Sequence, residues 1–293
     1  MSLLVPIVFV IFAWWFSTGA VLWLSTRTHG SRANRLKGML ALGGLGILGV
    51  VISGYPDLFR TGEHATYLGF LSALAVWALV EFTFLTGIVT GPRIRGCPPG
   101  VDSSERFRLA YQAMSHHEYA LAATLGLIGI ITLPGGHATA FATFFLLWLM
   151  RLSAKLTLFS GAPKFASDMM PPTIAHLQSY IRSDRIGPVF WLSMVVSNAV
   201  FTAAIIVLVS NGLPKDYELS GVMLTTLLGL GVLEHWFMIL PVADSALWRW
   251  ALPGPRKART NLQEKTKTCA KKHTLLLAQG YNAAGQDRRG AVL

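Results

Sequence analysis

Phe144-Phe145-Leu146-Leu147-Trp148-Leu149-Met150-Arg151-Leu152-Ser153-Ala154-Lys155-Leu156 lies inside an apolar run covering residues 138–160. A stretch of about 20 apolar residues crosses a ~30 Å hydrocarbon core as one helix. Two permanent cations, Arg151 and Lys155, nevertheless sit in its inner half. A bilayer tolerates such groups only where they are paired or watered, so the run predicts a membrane helix facing other helices rather than lipid alone.

Six further runs have the same character, at 3–25, 38–54, 66–90, 113–133, 188–210 and 220–240. The first lacks a basic leading region and carries Trp14 and Trp15 at its middle, so it reads as a retained span and not a signal peptide. Composition agrees. Of 293 residues, 53% are hydrophobic and only 13% charged, about half the charge of an ordinary soluble domain. That excludes the soluble enzyme classes. The expected fold is all-α and polytopic, with seven transmembrane helices spread over residues 1–252.

The 25 Lys and Arg residues against 14 Asp and Glu give a net charge of +11. Their placement points to topology and not to nucleic acid. The odd-numbered loops and the C-terminal tail hold 21 of the 25, the even-numbered loops two, and a span the remaining two, Arg151 and Lys155. Basic residues collect on the cytoplasmic side, so the N-terminus is expected outside and the C-terminus in the cytoplasm. Cys97 and Cys269 then face a reducing compartment, where free thiols are the ordinary state. Residues 253–293 are basic, polar and almost free of aromatics, which reads as a disordered cytoplasmic tail able to touch anionic headgroups.

Ionisable residues inside the spans are the candidate site: Glu81, His116, His117, Glu118, Arg151, Lys155, Glu234 and His235. Counted from the expected span ends, the carboxylates and cations fall in one layer, about 8–14 Å below the inner interface at ~1.5 Å per residue. Arg151 and Lys155, four apart, share a helix face and can meet acids on neighbouring helices. Three readings of this layer stay open. Buried ion pairs could fix which helices are neighbours. A composite of His117, Glu118, Glu234 and His235 could hold a metal ion, although the Glu-x-x-His and His-x-x-x-His spacings of helical metal sites are both absent. Finally, His117 and His235 each follow a small residue by four positions, Ala113 and Gly231, which suits a histidine ligating a tetrapyrrole laid over the helix.

Several strings carry a family resemblance: Trp14-Trp15-Phe16-Ser17-Thr18-Gly19, Glu81-Phe82, Thr90-Gly91-Pro92-Arg93, Cys97-Pro98-Pro99-Gly100, His117-Glu118, Arg151-Leu152-Ser153-Ala154-Lys155-Leu156, Leu233-Glu234-His235-Trp236-Phe237 and Leu247-Trp248-Arg249-Trp250. Together they resemble the PuhE family, photosynthetic complex assembly proteins of anoxygenic phototrophic bacteria, from about residue 10 to residue 252. The resemblance implies a multi-pass protein of the bacterial inner, photosynthetic membrane. It implies a role in reaction-centre and antenna assembly or in bacteriochlorophyll supply. Reaction-centre or antenna subunits and pigment-synthesis proteins would be its partners, beside the lipid bilayer, and bacteriochlorophyll or a metal ion its cofactor. It supplies a pathway and no mechanism, so a non-catalytic assembly factor and a membrane enzyme or carrier acting on a tetrapyrrole both remain.

Overall fold

Ser31 opens the second helix by accepting the Asn34 backbone N–H on its side-chain oxygen at 3.2 Å, and Asp102 opens the fourth by accepting that of Glu105 at 2.7 Å. Both caps lie in polar stretches before the apolar runs, so both helices start earlier than hydropathy alone predicts. The computed structural model describes residues 3–28, 31–55, 57, 64–163, 170–240 and 244–252. Among the described residues are seven long α-helices: α1 Leu4–Thr28, α2 Arg32–Gly54, α3 His64–Leu85, α4 Ser103–Thr132, α5 Thr139–Ser160, α6 Pro188–Val209 and α7 Lys215–Phe237. Two short 3₁₀ helices, Pro172–Tyr180 and Asp244–Trp248, complete them.

Six of the seven are long and apolar enough to cross a membrane. The exception is α4, where His116, His117 and Glu118 interrupt the apolar run. The chain is thus an all-helical, polytopic membrane protein, with six spans recognisable by composition where the sequence suggested seven.

Helix α3 is the hub. In its most apolar window 72% of residues are buried inside the protein, against 11% for α6. It packs on α1, α2 and α5. Against α2 the approach is close: a Cβ on Gly46 would stand 2.7 Å from Val76 Cγ2 and 3.0 Å from the Val76 nitrogen. Small residues that admit a neighbouring backbone are the usual basis of helix association in lipid.

The 66–90 span was expected to stay helical to Thr90, but α3 ends at Leu85. Thr86 bonds back to Phe82 O, and Gly87 follows with φ of 75°, a left-handed conformation that ends helices. The chain then runs across α4. A Cβ on Gly91 would lie 2.2 Å from Gln112 O and 2.6 Å from Ala113 C, and Thr90 O accepts the His117 backbone N–H at 2.9 Å. The 3₁₀ helix Pro172–Tyr180 closes the same end of the bundle. The Tyr180 hydroxyl accepts from Arg93 Nε at 2.6 Å and donates to Arg95 O at 2.7 Å, while Cys97 N–H donates to Ser179 Oγ at 2.8 Å. Beneath them Phe84, Ala113, Met114, Ile174 and Leu177 form one apolar cluster.

At the C-terminal end the segment after α7 folds back along α1. Trp248 Nε1 donates to Trp15 O at 3.0 Å, and Trp15 Nε1 donates to Leu247 O at 2.9 Å. Trp15 stands thirteen residues before the end of α1, about 20 Å along the helix axis. The Leu247–Trp250 string therefore packs at depth beside α1, although the charge count had placed Arg249 in the tail. Residues 1–251 form one compact unit. The expected tail, 253–293, and Cys269 lie outside the described residues.

Candidate functional site

Helix α5 carries both cations of the layer, and each meets a different helix. Arg151 Nη2 donates to Glu81 Oε2 on α3 at 3.2 Å, and Lys155 Nζ donates to Glu118 Oε1 on α4 at 2.6 Å. Residues four apart on a helix are side by side, so these two bonds tie α5 to both α3 and α4 at one level. The pairs differ in setting. The Lys155 and Glu118 side chains are only 9% and 12% exposed. Arg151 is 45% exposed, while the Glu81 it holds is 9% exposed.

The second oxygen of Glu81 points elsewhere. Oε1 lies 3.7 Å from His117 Nε2 on α4, too long for a hydrogen bond. The His117 ring is fully buried and stacks on Phe84 with centroids 4.2 Å apart; Lys155 Nζ lies 5.8 Å from the same Phe84 ring centre. Among the described residues, neither ring nitrogen of His117 has a hydrogen-bond partner, and neither does Glu81 Oε1. Unmade bonds on buried polar groups cost about 1–3 kcal/mol each, so this corner of the layer is a destabilising feature of the bundle.

His235 is arranged the opposite way. Its Nδ1 lies 2.8 Å from Gly231 O, a carbonyl that can only accept, so Nδ1 carries the proton. Nε2 is then the acceptor for the Ser153 hydroxyl on α5, at 2.9 Å. Both nitrogens are engaged, and the ring is 1% exposed.

A cavity of about 340 Å³ opens beside the layer, at the lower end of the range for small-molecule sites. Trp14, Leu74, Leu147, Leu227 and Trp248 give it apolar walls. Ser17, Thr18, Glu81, Arg151, Lys155 and Glu234 supply its polar groups. Arg151 lies in this cavity wall and is the most exposed member of the two ion pairs. Glu234 lies within electrostatic reach of Arg151.

The expected residues thus divide. Glu81, Arg151, Lys155, Glu118 and His117 come together as one layer, and Glu234 joins it across the cavity. His235 turns to Ser153, and His116 is exposed on the far side of α4. Among the described residues no three His, Cys, Asp or Glu side chains form a group that could hold a metal ion. The four residues considered as metal ligands face different partners: His117 faces Glu81, Glu118 faces Lys155, His235 faces Ser153, and Glu234 lines the cavity. The room foreseen for a macrocycle over Ala113 is taken by Gly91, and that over Gly231 by Met150, whose Cε would lie 2.8 Å from a Cβ there. Neither histidine lines the cavity.

Ser17, Thr18, Phe84, Ser153 and Trp248 were not foreseen as site residues. Ser17, Thr18, Ser153 and Trp248 stood inside the quoted strings, and Phe84 lies three residues after Glu81 on the same helix face. Their positions were legible; the directions of their side chains were not.

No solved structure matches the chain. A protein of Rhodobacter capsulatus, described as an uncharacterized 30.4 kDa protein in the puhA 5′ region, is 36% identical over 248 residues, covering 83% of this chain and 88% of that protein. Residues 1–259 match the family described as protein of unknown function, DUF3623. With its whole helical bundle inside that match, the chain belongs to the DUF3623 family.

Proposed function

We propose that the protein is an inner-membrane factor in assembly of the bacterial photosynthetic apparatus, holding pigment or a pigment–protein intermediate for reaction-centre or antenna complexes. The observation that carries this reading is the cavity of about 340 Å³, whose apolar walls meet a charged layer inside the helical bundle. A purely structural ion layer needs no such space beside it. The position of the Rhodobacter capsulatus relative in the puhA 5′ region supports the pathway, as does the resemblance to the PuhE family. In this reading the apolar body of the ligand packs on Trp14, Leu74 and Leu147. His117 and His235 are turned into the protein and do not ligate it. The N-terminus lies outside and the polar layer near the cytoplasmic face, within reach of pigment-synthesis proteins.

The test is an absorption spectrum and metal assay of detergent-purified protein, with complementation of a strain deleted for the gene. A bacteriochlorin band that disappears when Leu147→Trp fills the cavity, with loss of reaction-centre and antenna absorption in cells, is the expected result. Stoichiometric iron or zinc without pigment would favour the alternative, a membrane-embedded metal-dependent enzyme or carrier acting on a tetrapyrrole. Full complementation by the filled-cavity variant would remove the cavity from the function.

A further inference from the structure

Arg151 and Lys155 look alike in sequence, yet the structure commits only one of them. Lys155 also lines the cavity but is only 9% exposed and is held in a short bond with Glu118 at 2.6 Å. Arg151 shows 45% of its side chain, lines the cavity, and bonds Glu81 through Nη2 at 3.2 Å. Charge-assisted bonds of this kind usually measure ~2.7–2.9 Å. A guanidinium has five N–H donors in a planar fork suited to a carboxylate, and this one lines the cavity with 45% of its side chain exposed. Among the described residues, Glu81 meanwhile has a buried oxygen without a hydrogen-bond partner, 3.7 Å from a fully buried imidazole whose ring nitrogens also lack one. It stands between two donors, held by a long bond on one side and not yet bonded on the other.

We propose that Arg151 is the receptor for the anionic head of the amphiphile that the cavity accommodates, and that Glu81 exchanges Arg151 for His117 when the ligand binds. The proposal rests on the reading of the cavity as an amphiphile site and adds the chemistry of the head. A carboxylate arriving from the cavity takes the fork of Arg151. Glu81 then closes on His117, whose Nε2–H donates to Oε1, so that the bond lost to Arg151 is replaced by one that satisfies a buried donor. Lys155, held by Glu118, stays near enough to offset the charge of Glu81. Glu234 lines the same cavity from α7. The fitting ligand is an apolar body with a carboxylate head. Phe84, stacked on His117, fixes the ring for this exchange.

The experiment uses the full-length protein in detergent at a pH where a fatty acid is ionised. Dibromostearate and its alcohol counterpart are titrated, and quenching of tryptophan is followed, since Trp14, Trp77 and Trp248 line the cavity. The wild-type protein should bind the acid about tenfold more tightly than the alcohol, the worth of one charge-assisted bond. Arg151→Gln should abolish that preference. Glu81→Gln should strengthen acid binding, because the competing carboxylate is gone, while leaving the alcohol unchanged. His117→Phe should narrow the preference, since Glu81 then has no second donor. Equal binding of acid and alcohol by the wild-type protein would overturn the proposal while leaving the cavity reading intact, and this arm needs no variant to fold. Weakened acid binding in a folded Glu81→Gln would also overturn it. Saturable binding of neither amphiphile would remove the cavity reading and the proposal together.

Discussion

Lys155 Nζ stands 2.6 Å from Glu118 Oε1, and the two side chains are 9% and 12% exposed. The pair joins α5 to α4 at the level where Arg151 joins α5 to α3. Removing one member of such a pair leaves an uncompensated charge in a low-dielectric setting, which is far costlier than removing both.

Glu118→Gln should therefore destabilise the folded protein by about 3–5 kcal/mol. The double variant Glu118→Gln, Lys155→Met should recover much of that loss. Thermal unfolding in detergent of the two single variants and the double variant provides the cycle. Additive effects would mean that the pair is not coupled.

Gly91→Ala tests how His117 is positioned. The new methyl would meet the α4 backbone at Gln112 and Ala113, at 2.2 Å and 2.6 Å, and backbone cannot step aside as a side-chain tip can. Forcing the loop away should cost about 1–3 kcal/mol and break the bond from His117 N–H to Thr90 O. Hydrogen exchange at the His117 amide should accelerate, with the α6 amides unchanged.

Trp248→Phe keeps an aromatic ring near Trp14, whose centroid lies 5.5 Å away, and removes the donor to Trp15 O together with part of a buried indole. The expected loss is about 1–3 kcal/mol, read as a lower melting temperature. An unchanged melting temperature would show that the reciprocal Trp15–Trp248 bonds do not anchor the returning segment.

The cap of α4 supplies a pH dependence outside the membrane. Bonds from the Glu105 backbone N–H and the Ser104 hydroxyl hold the Asp102 carboxyl below its ordinary pKa. A lowered pKa in the folded protein means that the cap contributes fully above the ordinary Asp range, near about 4. It is lost as pH falls through that range toward the folded value. Amide exchange at Ser104 and Glu105, corrected for intrinsic rates, should rise on acidification. Asp102→Asn should remove that dependence.

Reporter fusions test the orientation that the basic residues imply. Fusions after Ser31 and after Asp102 should read cytoplasmic, and one after His137, in the turn between α4 and α5, periplasmic. A periplasmic reading at Asp102 would invert the bundle and place the polar layer near the outer face.

The sequence by itself determined that the chain is a helical membrane protein and which residues are anomalous within it. Apolar length and the scarcity of charge depend on composition alone, and a bilayer admits few structures other than helices. Even the level of the layer was legible, because depth along a helix is counted in residues. Hydropathy was least informative where polar caps lengthened α2 and α4, and where His116, His117 and Glu118 kept α4 below the apolarity of its neighbours. Azimuth was decided only by tertiary packing. Arg151 and Lys155 share a face of α5, but the positions of α3 and α4 determine that one bonds Glu81 and stays 45% exposed while the other is buried against Glu118. His117 and His235 each follow a small residue by four, yet Gly91 and Met150 fill the two spaces. Neither distinction is local. Each arises from contacts between residues far apart in the chain, whose distances no sequence spacing encodes.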